Sequence, residues 1–312
     1  MDTSLVVGAG PVGSRVALLL AERGSAVRLV TRSGSGPDHA AVERVAADAS
    51  DGGRMRALAA GTVAVYNCAN PAYTRWGTDW PPIAAALLEA AEASGAVLAT
   101  VSNLYGYGAV TAPIGADNPL DPCDAKGEVR VRMWLDALAA HEAGRARVVE
   151  VRASDYADGG AGSHLARNAP AVLAGRTVRV IGDADQPHSW TATGDTARLL
   201  VDLAGDDRAH GRAWIVPTAP PRTQREALGD LARAAGVPAP KVSALRPRAM
   251  RALGLVVPML RELAGTAYQF TAPFVVDDSA TRDLVGWGPQ PWDETVARVV
   301  DAARTAATAG AR

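Results

Sequence analysis

One stretch near the start constrains this chain more than any other: an apolar run, Leu5-Val6-Val7, breaks into Gly8-Ala9-Gly10-Pro11-Val12-Gly13 and resumes as a helical pattern carrying Val12, Val16, Leu19 and Leu20. Glycines at that spacing, between a strand signal and a helix signal, each do a separate job. The first permits a tight turn, the second lets the backbone approach a pyrophosphate, and the third lets helix and strand pack closely. The free N–H groups at the helix start then hold phosphate oxygens. The pattern predicts a dinucleotide held by Gly8, Gly10, Pro11, Val12 and Gly13.

Strand and helix signals alternate through the first two thirds of the chain, the order expected for a parallel sheet covered by helices on both faces. Short apolar runs predict strands at Ser4–Val7, Ala26–Val30, Val42–Ala46, Val63–Asn67, Ala96–Val101, Ala146–Val151 and Ala213–Val216. Helices are predicted at Val12–Arg23, Pro82–Ser94 and Val129–Ala143. After Arg152 the texture turns to Gly-rich loops, a strand-like Thr177–Ile181 and a helical Gly194–Leu203, followed by helices at Arg222–Ala235, Pro247–Ala264 and Trp292–Ala307. The expected division is a Rossmann dinucleotide domain over 1–156, with later returns of the chain near 182–216, and a mainly substrate-binding lobe over 157–312.

Composition narrows the partners. The 312 residues carry a net charge of −1, so no global field favours nucleic acid or an anionic membrane, and no apolar run is long enough to span a bilayer. A small-molecule substrate is expected; the oligomeric state is left open. Two cysteines, Cys68 and Cys123, far apart and without CxxC spacing, predict neither a disulfide framework nor a zinc site. With no basic leader before the first strand, a reducing cytoplasm is the expected location. Nearly every basic residue is arginine, and the only lysines are Lys126 and Lys241. A compact ammonium does work that a planar guanidinium cannot, which singles out Lys126.

At the end of the second strand, where an NAD-binding chain carries an acidic residue for the ribose hydroxyls, this sequence reads Thr31-Arg32-Ser33. A guanidinium and hydroxyls suit a 2′-phosphate, so NADP(H) is the expected cofactor, with NAD(H) as the alternative. Asp48 is expected to meet the adenine amine. Ala69 and Asn70, after the fourth strand, are expected beside the pyrophosphate and the nicotinamide ribose.

Taken together, Gly8–Gly13, Asp48–Asp51, Ala96–Gly106 and the later His188–Asp195 resemble, in order, segments of the extended short-chain dehydrogenase/reductase family, which contains sugar-nucleotide epimerases and dehydratases. The resemblance runs over nearly the whole chain. It implies an α/β Rossmann fold with a roughly seven-stranded parallel sheet and a smaller C-terminal substrate lobe. It also implies a catalytic Ser or Thr with a YxxxK pair, in which the lysine lowers the tyrosine's pKa and binds the ribose while the tyrosine transfers the proton.

No YxxxK occurs in this sequence. If Lys126 is the family lysine, Pro122 stands four residues before it, or Cys123 if the loop is slipped by one. Aligning Tyr105-Gly106 with the family's YG pair puts Val101 at the serine position, with Ser102 and Asn103 beside it. The catalytic candidates are thus Lys126, Ser102 and Tyr105. Asn103 and Tyr107, beside these, are expected to contact substrate, and the resemblance puts Tyr156, His188, Trp190, Tyr268 and Phe270 on substrate-facing segments, where aromatics could stack on a flat polycycle. The pattern is similar to atypical ketoreductases of aromatic polyketide pathways. The expected activity is therefore NADP(H)-dependent ketone reduction without the tyrosine acid. The alternatives are a sugar-nucleotide epimerase or dehydratase, and a non-redox nucleotide sensor.

Overall fold

The computed structural model of the protein describes residues 2–245, 250, 262 and 264–310. In chain order the strands are β1 Thr3–Val7, β2 Ala26–Thr31, β3 Val42–Ala46, β4 Ala64–Asn67, β5 Val97–Asn103, β6 Arg147–Ala153, β7 Asp155–Tyr156, β8 Val178–Ile181, β9 Trp190–Thr191, β10 Arg212–Ile215 and β11 Val242–Leu245. The helices are α1 Pro11–Glu22, α2 Gly52–Ala59, α3 Trp76–Ser94, α4 Ala125–Glu142, α5 His164–Leu173, α6 Thr193–Ala204, α7 Gln224–Ala235, α8 Ser279–Val285 and α9 Trp292–Gly310.

The chain divides into two compact units, one of residues 1–106, 125–153 and 196–216, the other of residues 107–124, 154–195 and 217–312. The first unit holds a seven-stranded sheet in the order β10-β6-β5-β4-β1-β2-β3, every neighbouring pair parallel. This is the α/β Rossmann architecture that the alternating pattern predicts. The central strands are covered on both faces, and so β1 and β4 bury nearly every residue. The edge strand β3 carries Glu43 and Arg44 exposed to solvent instead. Strand order reverses between β1 and β4, where Val7 pairs Asn67, and that reversal opens the crevice in which open α/β sheets bind ligands.

The second unit has its own core. Leu165, Ala169 and Val172 of α5, Leu228 and Leu231 of α7, and Val296 and Val299 of α9 pack around Trp190 and Phe270. Small parallel pairs, β7 with β9 and β8 with β11, complete it.

Two helices start earlier than the sequence predicts, and both differences matter for the site. Prolines remove N–H donors, so Pro81-Pro82 reads as a helix start. Burial of Trp76 (5 % exposed) and Trp80 (0 %) nevertheless carries α3 back to Trp76. Similarly, α4 begins at Ala125 rather than Val129, bringing Lys126 into its first turn. Helix α5 falls where Gly-rich loops were expected; Ser163 caps it by accepting from the Ala166 N–H at 3.0 Å, and its apolar face does the rest. The helix expected at Pro247–Ala264 lies almost wholly outside the described residues.

Candidate active site

The carboxyl end of β1 runs into the glycine turn. Gly8 adopts φ 101°, a left-handed conformation open to glycine, and a Cβ there would overlap the Cys68 carbonyl at the end of β4. A Cβ at Gly13 would collide with the Gly8 carbonyl, so α1 can sit this close to β1 only with glycine. Gly10 is different: it is exposed, it caps α1 without any side-chain bond, and a Cβ there would meet nothing within 4 Å. Pro11 at the first helical position gives up an N–H that would be unused. Val12 is buried under the turn, and the first turn of α1 carries no acidic residue to compete for an anion. These features fit the pyrophosphate of a dinucleotide. The neighbouring Cys68 thiol, pushed by burial up to about 12, behaves as a small apolar group.

At the end of β2, the Thr31 hydroxyl donates to the Ser35 carbonyl at 3.0 Å and the Ser33 hydroxyl donates to Ser35 Oγ at 2.9 Å. The side chains of Arg32 and Ser33 are exposed, and the Arg32 charge reaches both Asp48 and Asp79. Asp48 does not simply wait for a ligand. Its Oδ1 accepts from the Ser50 N–H (2.9 Å) and hydroxyl (2.8 Å), and those bonds, with help from Arg32, hold its carboxyl below the usual range. Asp51 caps α2 through the Arg54 N–H. Beyond β4, the Ala69 N–H turns back to Asn67 Oδ1 at 3.4 Å and Asn70 is exposed.

Lys126 is the most unusual member of this unit. It is 9 % exposed and stands in the first turn of α4, where the helix dipole disfavours a cation. Its Nζ lies 4.4 Å from the centroid of the Tyr73 ring, an attraction between cation and π face. Tyr73, in a short 3-10 turn between β4 and α3, donates from Oη toward Tyr105 Oη at 3.5 Å, the long limit of a hydrogen bond. Trp76 packs edge-on to Tyr73 at 5.3 Å and 5.9 Å from Tyr105. Arg130, one turn after Lys126, lies over Trp76 (4.7 Å) and Trp80 (4.2 Å) and donates to the Val101 carbonyl at 3.4 Å.

The structure therefore brings Lys126 and Tyr105 of the expected set into one cluster and adds Tyr73, Trp76 and Arg130, which sequence reasoning missed. Their signal was present: Tyr73, Trp76 and Trp80 recur at helical spacing, and Arg130 stands four residues after Lys126. Ser102, on β5, is buried, and Asn103 Oδ1 accepts from the Tyr105 N–H at 3.1 Å.

In the second unit, a further Tyr-Gly pair, Tyr107-Gly108, follows directly on the first. Gly108, not Gly106, takes a positive φ (65°), and a Cβ there would overlap the Asp121 carbonyl. Position 108 therefore requires glycine. Tyr107 itself is 2 % exposed, its hydroxyl donating to the Ala116 carbonyl at 3.0 Å.

Of the remaining residues expected to face substrate, His188, Trp190 and Phe270 are buried in the core of this unit. The Trp190 indole N–H donates to the Arg222 carbonyl at 3.0 Å, and the His188 ring stacks on Phe270 at 4.5 Å. Tyr156 and Tyr268 are half-buried. Cys123 is exposed, and its thiol is shifted upward by partial burial and by Asp124, a poor substitute for a phenol acid.

The model of the NAD dependent epimerase/dehydratase family matches residues 4–216. No curated protein matches the chain. Among solved structures, UDP-glucose 4-epimerase from Thermotoga maritima, with UDP-glucose, superposes with a TM-score of 0.79 at 18% identity, covering 98% of this chain and 99% of that one. A dTDP-glucose 4,6-dehydratase from Streptomyces venezuelae with NAD bound gives 0.78 at 20% identity over 97% of each chain. The Bordetella bronchiseptica enzyme WbmH in complex with NAD+ gives 0.76 at 18%, covering 97% of this chain and 98% of that one. At these identities the likeness is one of fold.

Proposed function

The chain belongs to the NAD-dependent epimerase/dehydratase family, and on that premise we propose that it is an NADP(H)-dependent ketoreductase acting on an aromatic, polyketide-like small molecule without a YxxxK tyrosine. The observation that carries this reading is Lys126, a lysine kept nine-tenths buried at the unfavourable end of a helix with no tyrosine one turn before it. Placing a cation there is costly, and sites that accept such a cost are characteristically functional.

In this reading the N–H groups at the start of α1, opened by Gly10, hold the pyrophosphate, and Arg32 with Thr31 and Ser33 receives the 2′-phosphate. Lys126 binds ribose hydroxyls and sets a positive charge near the oxygen that becomes an alkoxide. The reduced nicotinamide, when bound, supplies the hydride. The two free cysteines suit a reducing cytoplasm, and among the described residues no helix is long and apolar enough to cross a membrane.

A second reading, a sugar-nucleotide epimerase or dehydratase, is favoured by the family itself and by the sugar-nucleotide enzymes among the structural neighbours. Abstracting a proton from a sugar hydroxyl needs a base, and the missing YxxxK tyrosine counts against it. The two separate in one experiment. Purified protein with NADPH is offered aromatic hydroxy-ketones, and with NAD+ is offered UDP- and dTDP-hexoses. Consumption of NADPH with a ketone supports the reductase; isomerised or dehydrated sugar nucleotide supports the alternative and refutes it. Nucleotide binding with neither reaction refutes both in favour of a non-redox sensor.

A further inference from the structure

We propose that Tyr73 is the proton donor of this site: the phenol that a YxxxK motif would supply from the helix carrying Lys126 is supplied instead by the turn after β4. The inference rests on the reductase reading above.

Three observations converge on Tyr73. First, its turn leaves the carboxyl end of β4, the strand paired with β1 at the reversal of strand order, so it stands on the same sheet edge as the glycine turn. Second, the Lys126 ammonium lies 4.4 Å from its ring centroid. A cation at that distance favours phenolate over phenol, which is the service a catalytic lysine gives its tyrosine. Third, the Tyr73 hydroxyl is directed toward the Tyr105 hydroxyl at 3.5 Å, so a second phenol is at hand to stabilise the first when it ionises and to return a proton from solvent. Arg130 does not compete for this role, being laid over Trp76 and Trp80. Trp76, edge-on at 5.3 Å, holds the Tyr73 ring in place.

The step balances. A hydride from NADPH forms the new C–H bond at the carbonyl carbon, the C=O π pair moves onto oxygen, and the Tyr73 Oη–H bond breaks to protonate that oxygen. The ketone is reduced by two electrons, NADPH is oxidised to NADP+, and the Tyr73 phenolate, held by Lys126, recovers its proton from solvent through Tyr105.

The test uses the full chain carrying Tyr73→Phe, which keeps the ring against Lys126 and Trp76. Phenol ionisation is followed by ultraviolet difference absorbance without nucleotide, and NADPH affinity and turnover are followed separately. We expect kcat to fall about a hundredfold while NADPH affinity stays within about twofold. The earliest-ionising phenol of the wild type should vanish in Tyr73→Phe, and in Lys126→Met it should ionise at least about one pH unit later, a tenfold change. Turnover persisting in Tyr73→Phe while Tyr105→Phe abolishes it, or an early phenol that survives Tyr73→Phe, would overturn the proposal. If the wild type reduces no ketone, the reductase reading fails on its own, and the role of Tyr73 as ketone proton donor fails with it. The ionisation data would then still report whether Lys126 tunes Tyr73.

Discussion

Nε2 of His188 lies 2.9 Å from Oδ2 of Asp155, while Nδ1 of the same ring lies 3.2 Å from the Gln269 carbonyl oxygen. Both ring nitrogens face acceptors, inside a stack made by Phe270 at 4.5 Å and Phe274 at 5.6 Å. Burial pushes the Asp155 carboxyl up, but the hydrogen bond from His188 and the charges of His164, His188 and Arg167 outweigh it and leave it below the ordinary range. The pair therefore stabilises the fold fully above the unfolded carboxyl value of about 3.9, and the gain is lost as pH falls through the lower folded value. His164, shifted down mainly by burial, adds an earlier decline beginning near the unfolded imidazole value of about 6.5, because only the unfolded ring takes up a proton there. Asp155→Asn should cost about 2 kcal/mol at neutral pH and flatten the acid limb of a thermal melt series below about pH 4. An acid limb identical to the wild type would refute the pairing.

The glycine turn yields a contrast between two neighbouring substitutions. Gly8→Ala forces a left-handed alanine into the Cys68 carbonyl and should lower Tm as well as abolish nucleotide binding. Gly10→Ala has room for its methyl and an ordinary φ of −68°, so Tm should hold. Nucleotide affinity should nonetheless fall about tenfold or more, roughly 1.4 kcal/mol, because the methyl occupies the space assigned to the pyrophosphate. Calorimetric titration beside a melt checks both, and Gly10→Ala binding as the wild type does would move the phosphate elsewhere.

Lys126→Ala removes the buried ammonium while α4 keeps its start. NADPH affinity or turnover should fall by about two orders of magnitude, the range of one positioned acid–base group, with Tm unchanged or raised, since a cation leaves the positive end of a helix. An unchanged rate would take Lys126 out of the site.

On β6, Arg152 Nε donates to Glu150 Oε1 at 2.7 Å, with both side chains about 5 % exposed or less. Arg152→Met strands a buried carboxylate and should cost about 3 kcal/mol. Adding Glu150→Leu should recover most of that loss in urea melts; a double variant as unstable as the single one would show that the pair's charges are not what the single substitution exposes.

The sheet was legible because its signal is local and repetitive. Buried parallel strands such as Leu5–Val7 and Ala64–Tyr66 are continuous apolar runs, and the glycine turn marks where the first of them ends. Helix starts were harder to see, because tertiary burial overrode local propensity. Trp76 and Trp80 pull α3 through two prolines, and α4 begins a full turn before its apolar face does. That early start puts Lys126 within reach of Tyr73, 53 positions away in the chain. A contact made by packing leaves no spacing for a motif to record.

The most direct test of the account is a calorimetric titration of the wild-type chain with NADPH and with NADH. Both should bind at the glycine turn, NADPH tighter by about tenfold, roughly 1.4 kcal/mol, with the preference lost in Arg32→Ala. Absence of binding by either nucleotide would contradict the account at its root, and tighter binding of NADH would contradict the role given to Arg32.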